Sequence, residues 1–110
     1  MEYYPDSWVI IKIENGDEPI YKVLAGWHGG YAGSDEWRLN SGITSYEISD
    51  TMVVFRGYSD SVYYVKQRNE GMTSLMSSVY NDMYKKAAAV NVKFVTIPFD
   101  EFVKEFENDS

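Results

Sequence analysis

The chain has 110 residues, 45% of them hydrophobic and 25% charged, proportions that fit one globular domain and exclude a disordered segment or two independent cores. It contains no cysteine and one histidine, which excludes a disulfide framework, a thiolate metal site, a cysteine nucleophile and any site needing two histidines from one chain. The net charge of −7 opposes duplex nucleic acid and anionic membrane, and the acidic N-terminus has no secretory pattern, so a cytoplasmic location is expected by exclusion.

In chain order, Trp8 to Glu14 is rich in β-branched and aromatic residues and reads as a strand, with Val9, Ile11 and Ile13 on one face. Asn15-Gly16-Asp17-Glu18-Pro19 is turn chemistry, and Ile20 to Trp27 reads as the returning strand of a hairpin, with Tyr21, Val23, Ala25 and Trp27 on one face. From Gly26 to Gly33 the chain holds four glycines in eight residues and is expected to form a loop. Trp37 to Leu39 is a short extended segment, and Asn40-Ser41-Gly42 is a second turn. Ile43 to Ile48, Met52 to Arg56 and Ser61 to Lys66 are further strands joined by short turns.

The period then changes. Met72, Leu75, Met76, Val79, Tyr80, Met83 and Ala87 recur at helical spacing, with Thr73 as N-cap, Glu70 near the start, Lys85 and Lys86 in the last turns and Asn91 as C-cap. Val92 to Ile97 reads as a final strand ended by Pro98. Phe99, Phe102, Val103 and Phe106 mark a short amphipathic C-terminal helix with Asp100 and Glu101 in its first turn. The expected fold class is α+β: a mainly antiparallel sheet of about five to seven strands, one long helix packed on it and a short C-terminal helix, in a single domain over residues 1–110.

The chemistry concentrates between Gly26 and Ile43. Trp27, Tyr31 and Trp37 offer flat faces for stacking, and Arg38 offers a planar cationic fork for phosphate or carboxylate. Asn40 and Ser41 offer hydrogen bonds to hydroxyls or base edges, and the glycines let backbone N–H groups approach a ligand. These are the parts of a small-molecule pocket. The competing explanation is a buried tryptophan pair, turn glycines and a surface ion pair at Arg38. The glycines match neither G-x-G-x-x-G followed by a helix nor G-x-x-x-x-G-K-[ST], so a P-loop enzyme is set aside. His28 is a candidate general base beside Ser34 and Asp35, although a polar loop residue or ligand contact is the commoner role. The Gly57–Tyr64 hairpin is a second candidate, where Tyr58 and Tyr63 are taken as ligand-facing against the alternative of an aromatic cross-strand pair. Met72, Met76 and Met83 read as core filling. The phenylalanine face of the C-terminal helix reads as docking on the core, with a homodimer contact as a further option.

Three stretches together resemble a family of small proteins encoded by tailed bacteriophages: Pro5 to Ile13, Tyr21 to Ile43, and Gly57 to Tyr64 with Gly71 to Tyr80 following. The most specific part is Trp37-Arg38-Leu39-Asn40-Ser41-Gly42-Ile43, and the Phe99–Phe106 helix lies outside it. The resemblance carries no activity and no functional residues. It implies expression inside an infected bacterium, where such accessory proteins often bind a host factor or a signalling nucleotide. The expected function is therefore a non-catalytic small phage protein that sequesters or senses a nucleotide-like molecule. The ligand set is Trp27, His28, Tyr31, Trp37, Arg38, Asn40, Ser41, Tyr58 and Tyr63, with no cofactor or metal. The alternatives are a protein-binding module that inhibits or redirects a host enzyme, and a small hydrolase or lyase using His28.

Overall fold

The structure, a computed structural model, describes residues 1–29 and 35–108. Its elements are β1 (Glu2–Tyr3), β2 (Ser7–Glu14), β3 (Ile20–Trp27), β4 (Glu36–Leu39), β5 (Ile43–Ile48), β6 (Met52–Gly57), β7 (Val62–Lys66), a 3-10 turn (Gln67–Asn69), α1 (Ser74–Ala88), β8 (Lys93–Ile97) and α2 (Phe99–Asn108). The fold is α+β. Its strands form two four-stranded sheets, β1-β7-β6-β5 and β4-β3-β2-β8, antiparallel except for the parallel β1–β7 pair. No helix among the described residues is long and apolar enough to cross a membrane.

Alternation along β2 explains why there are two sheets. Trp8 and Ile10 leave one face of the strand, and Val9 and Ile11 leave the other; all four are buried. On the first face, Trp8, Ile10, Tyr21, Val23 and Ala25 meet Ile43, Val53, Phe55, Tyr63 and Val65 of the other sheet. On the second face, Val9, Ile11 and Leu24 meet Phe94 and the α1 residues Met76, Tyr80, Met83 and Ala87. The β2–β3 sheet is thus covered on both sides, by a second sheet and by a helix. Trp8 ties the layers, since its indole Nε1 donates to the Lys66 carbonyl at 2.8 Å.

The α1 helix begins as its sequence implies. Thr73 caps it, its hydroxyl accepting the Met76 N–H at 3.2 Å while the Thr73 N–H reaches the Met76 sulfur. Its last residue is Ala88, the C-cap is Ala89, and Asn91 turns the chain with a φ of 61°. Glu70, expected to favour the start of α1, serves the other helix: its carboxylate accepts the Phe99 N–H at 2.9 Å, at the first turn of α2. The chain between Gly71 and Thr73 carries Glu70 away from α1, so proximity in sequence misassigned its partner. Burial raises the Glu70 carboxyl above its ordinary value, against the pull of the Phe99 N–H.

The α2 helix inserts its phenylalanine face between the sheets. Phe102 is fully buried against Tyr21, Tyr46 and Phe55, and Phe99 meets Trp8 edge-on at 5.6 Å between centroids. Lys12 pairs with Glu105, which also accepts the Tyr21 hydroxyl at 2.9 Å. Tyr46 donates to Glu107 at 2.8 Å; burial, and then that carboxylate, push the Tyr46 hydroxyl up to about 12.

Candidate functional site

The candidate site grows from the N-terminal strand, which crosses from one sheet to the other. The Val62 N–H donates to the Met1 carbonyl, and β1 continues as a parallel partner of β7. Three residues beyond β1 the Asp6 N–H donates to the Gly26 carbonyl of β3, and the Trp27 indole Nε1 donates to the Tyr4 carbonyl at 3.1 Å. Asp6 also holds the end of β3, its carboxylate accepting the His28 N–H at 2.9 Å. Tyr3 and Tyr4 are thereby fixed across the open end of the β3–β4 pair. Tyr3 stacks on Tyr63 at 5.0 Å between centroids and meets Trp27 edge-on at 6.0 Å. Tyr4 stacks on Tyr64 at 5.0 Å and donates its hydroxyl to Glu2.

On the facing side, β4 is paired to β3 with Arg38 opposite Ala25 and Glu36 opposite Trp27. Alternation sends Glu36 and Arg38 toward the second sheet and Trp37 to the other side of the strand. The result is one open hollow of about 730 Å³ lined by Glu2, Tyr3, Tyr4, Trp27, Asp35, Glu36, Trp37 and Arg38. That volume falls within the range of small-molecule sites. Of its rings Tyr4 is 60% exposed, while Trp37 reaches the lining from the far side of β4.

Arg38 is the cation of the hollow. Its guanidinium carbon lies 4.6 Å from the centre of the Tyr3 ring, a cation–π arrangement. It also lies against the Tyr63 hydroxyl, which burial raises above its ordinary value while Arg38 pulls it down. Among the described residues no carboxylate stands within ion-pair distance of Arg38, although Glu2, Asp35 and Glu36 line the same hollow. Two of those acids have hydrogen-bond partners: Glu2 accepts the Tyr4 and Tyr64 hydroxyls, and Asp35 accepts the Gly29 N–H at 2.6 Å.

The sequence-predicted residues divide. Trp27, Trp37 and Arg38 come together. Tyr31 lies outside the described residues. His28 is exposed and does not line the hollow, and among the described residues its only hydrogen bond is through its backbone. Asn40 is buried, where its side-chain oxygen accepts the Val23 N–H at 2.8 Å and its Nδ2 has no hydrogen-bond partner among the described residues. Ser41 holds the Tyr58-Ser59 turn, accepting the Ser59 N–H at 2.9 Å. Tyr63 is 1% exposed and forms the floor under Tyr3. Tyr58 is 77% exposed but lines a separate hollow of about 330 Å³, with Pro19, Ile20, Tyr21, Ile43 and Phe106. Gly26, expected in a ligand loop, is a β3 residue facing α1: a Cβ there would stand 2.4 Å from the Met76 sulfur. Sequence reasoning missed Glu2, Tyr3 and Tyr4. The available signal was the tyrosine pair before Pro5, too short a run to announce a strand.

Among the described residues, no group of three or more His, Asp or Glu is placed to hold a metal ion. The chain matches no protein-family model, no curated protein and no solved structure.

Proposed function

We propose that the protein is a non-catalytic binding protein that takes a nucleotide-like small molecule into the hollow between β1 and β4. The observation that carries this is the convergence of Trp27 and Arg38 with Tyr3 and Tyr4 on one open hollow, whose lining also includes Glu2, Asp35, Glu36 and Trp37. Accessible rings supply stacking, which alanine substitution values at about 1–3 kcal/mol per nucleobase. The Arg38 guanidinium, without an ion pair among the described residues, supplies an anion contact, and the carboxylates supply acceptors for hydroxyl or amino groups of the ligand. The resemblance to small phage proteins suggests sequestration or sensing in the cytoplasm of an infected bacterium. Titration calorimetry against nucleosides and mono-, di- and cyclic nucleotides tests this. Saturable heat that disappears in Tyr4→Ala is expected, and a folded sample giving no heat with any of them removes the proposal.

A second reading, a protein-binding module acting on a host enzyme, draws on a different place. Tyr58 and Ile20 are exposed apolar residues beside the smaller hollow, away from Trp37 and Arg38. A host protein whose capture is lost with Tyr58→Ala and kept with Trp37→Ala favours it. The reverse pattern counts against it.

A further inference from the structure

Within that proposed binding role, we infer that the hollow selects ligands with a single anionic group and rejects polyphosphates. The ligand class is a nucleoside monophosphate, and the inference rests on the nucleotide-like reading above.

The charges lining the hollow carry the inference. One guanidinium faces three carboxylates, Glu2, Asp35 and Glu36, on a chain of net charge −7. Among the described residues Arg38 is the only Lys or Arg of the lining, and its place over the Tyr3 ring and against the Tyr63 hydroxyl sets where it presents its N–H fork. One tetrahedral or planar anion satisfies that fork. A second or third phosphate has no further cation in the lining and meets carboxylates instead. Glu36 is exposed and has no hydrogen-bond or ion-pair partner among the described residues, so its full charge is available to repel a second phosphate or to accept a ligand hydroxyl. Like charges a few ångströms apart at a solvated surface repel enough that each added phosphate is expected to weaken binding by about fivefold at low salt.

The deciding experiment follows tryptophan fluorescence during titration with nucleosides, nucleoside monophosphates and nucleoside triphosphates of the four common bases, at low and high salt. For a base that binds, the monophosphate is expected to bind about fivefold more tightly than the nucleoside and, by a wider margin, more tightly than the triphosphate, which carries two added phosphates. Arg38→Gln brings the monophosphate down to the nucleoside. Glu36→Gln, an exposed change that leaves folding intact, tightens the triphosphate more than the monophosphate, and high salt narrows the gap. A triphosphate that binds as tightly as the monophosphate, or a Glu36→Gln variant that leaves their ratio unchanged, overturns the charge rule and leaves the nucleotide-like reading standing. Absence of any fluorescence change with all twelve ligands removes both.

Discussion

The guanidinium of Arg38 lies 4.6 Å from the centre of the Tyr3 ring, joining the edge strand of one sheet to the edge strand of the other. Tyr3 in turn contacts Trp27 and Tyr63, so a single ring connects the cation, the wall and the floor of the hollow. The order of the site therefore depends on the short β1 strand, held by its parallel pairing with β7 and by the Trp27 indole on the Tyr4 carbonyl.

Tyr3→Ala removes that connection and Tyr3→Phe keeps it. The alanine variant is expected to lose about 1–3 kcal/mol of stability, less than a fully buried aromatic, and to abolish ligand-dependent tryptophan fluorescence. The phenylalanine variant is expected to stay close to wild type in both. Urea unfolding and fluorescence titration of the pair check this.

Trp37 bears on folding more than on binding. At 40% exposure on a short edge strand, its replacement by alanine is expected to cost about 1–3 kcal/mol of stability while leaving the fold intact. Because its ring leaves the far side of β4, its loss is expected to weaken a ligand of the hollow less than Tyr4→Ala does. A loss of binding equal to that of Tyr4→Ala would show that the indole stacks on the ligand instead.

Gly26 and Met76 are coupled. A Cβ at position 26 would stand 2.4 Å from the Met76 sulfur and 2.7 Å from its Cγ, and Met76 is fully buried, so it cannot swing aside. Gly26→Ala is expected to cost about 1–3 kcal/mol by overpacking. Combined with Met76→Ala, the cost is expected to fall short of the sum of the single variants, as a double-mutant cycle in urea would measure.

The Lys12–Glu105 contact sets an acid limb of stability. The Lys12 hydrogen bond, foremost among several contacts, holds the Glu105 carboxyl below its ordinary value of 4.5. The unfolded chain therefore binds the proton more readily, and the stabilisation present above that value is lost as pH falls through the lower folded value. Lys12, raised above 10.5 chiefly by the Glu105 hydrogen bond, contributes below that value and loses its contribution as pH rises through the higher folded one. Glu105→Gln is expected to flatten the acid limb by about 1 kcal/mol, read from urea midpoints across the acid range.

Glu70 works with the opposite sign. Its carboxyl is raised by burial, so the folded state takes up the proton more readily and gains stability as pH falls through the raised folded value toward 4.5. Glu70→Gln keeps an acceptor for the Phe99 N–H without the buried charge and is expected to be neutral or slightly stabilising at neutral pH. Glu70→Ala removes the acceptor and is expected to cost about 1 kcal/mol with early fraying of α2, visible in amide exchange.

Local periodicity determined much of this chain. The hairpin strands, the Thr73 cap, the long helix and the phenylalanine face of α2 were all legible, because each depends on residues a few positions apart. Alternation along β2 and β3 also marked which side chains share a face. What covers each face was decided only in three dimensions. The division into two sheets, the parallel pairing of β1 with β7 and the service of Glu70 to α2 all join residues far apart in sequence. The same reason splits the site. Trp27, Trp37 and Arg38 lie on two adjacent paired strands, so their convergence followed from a local hairpin-like pairing. Tyr3 and Tyr4 complete the hollow from the far end of the chain, and Asn40 and Tyr63, polar and aromatic in a turn and a strand, were drawn into the interior by the layer that closed over them. A pattern of residue types records which groups can pack or bind, whereas their burial depends on long-range contacts that no short window contains.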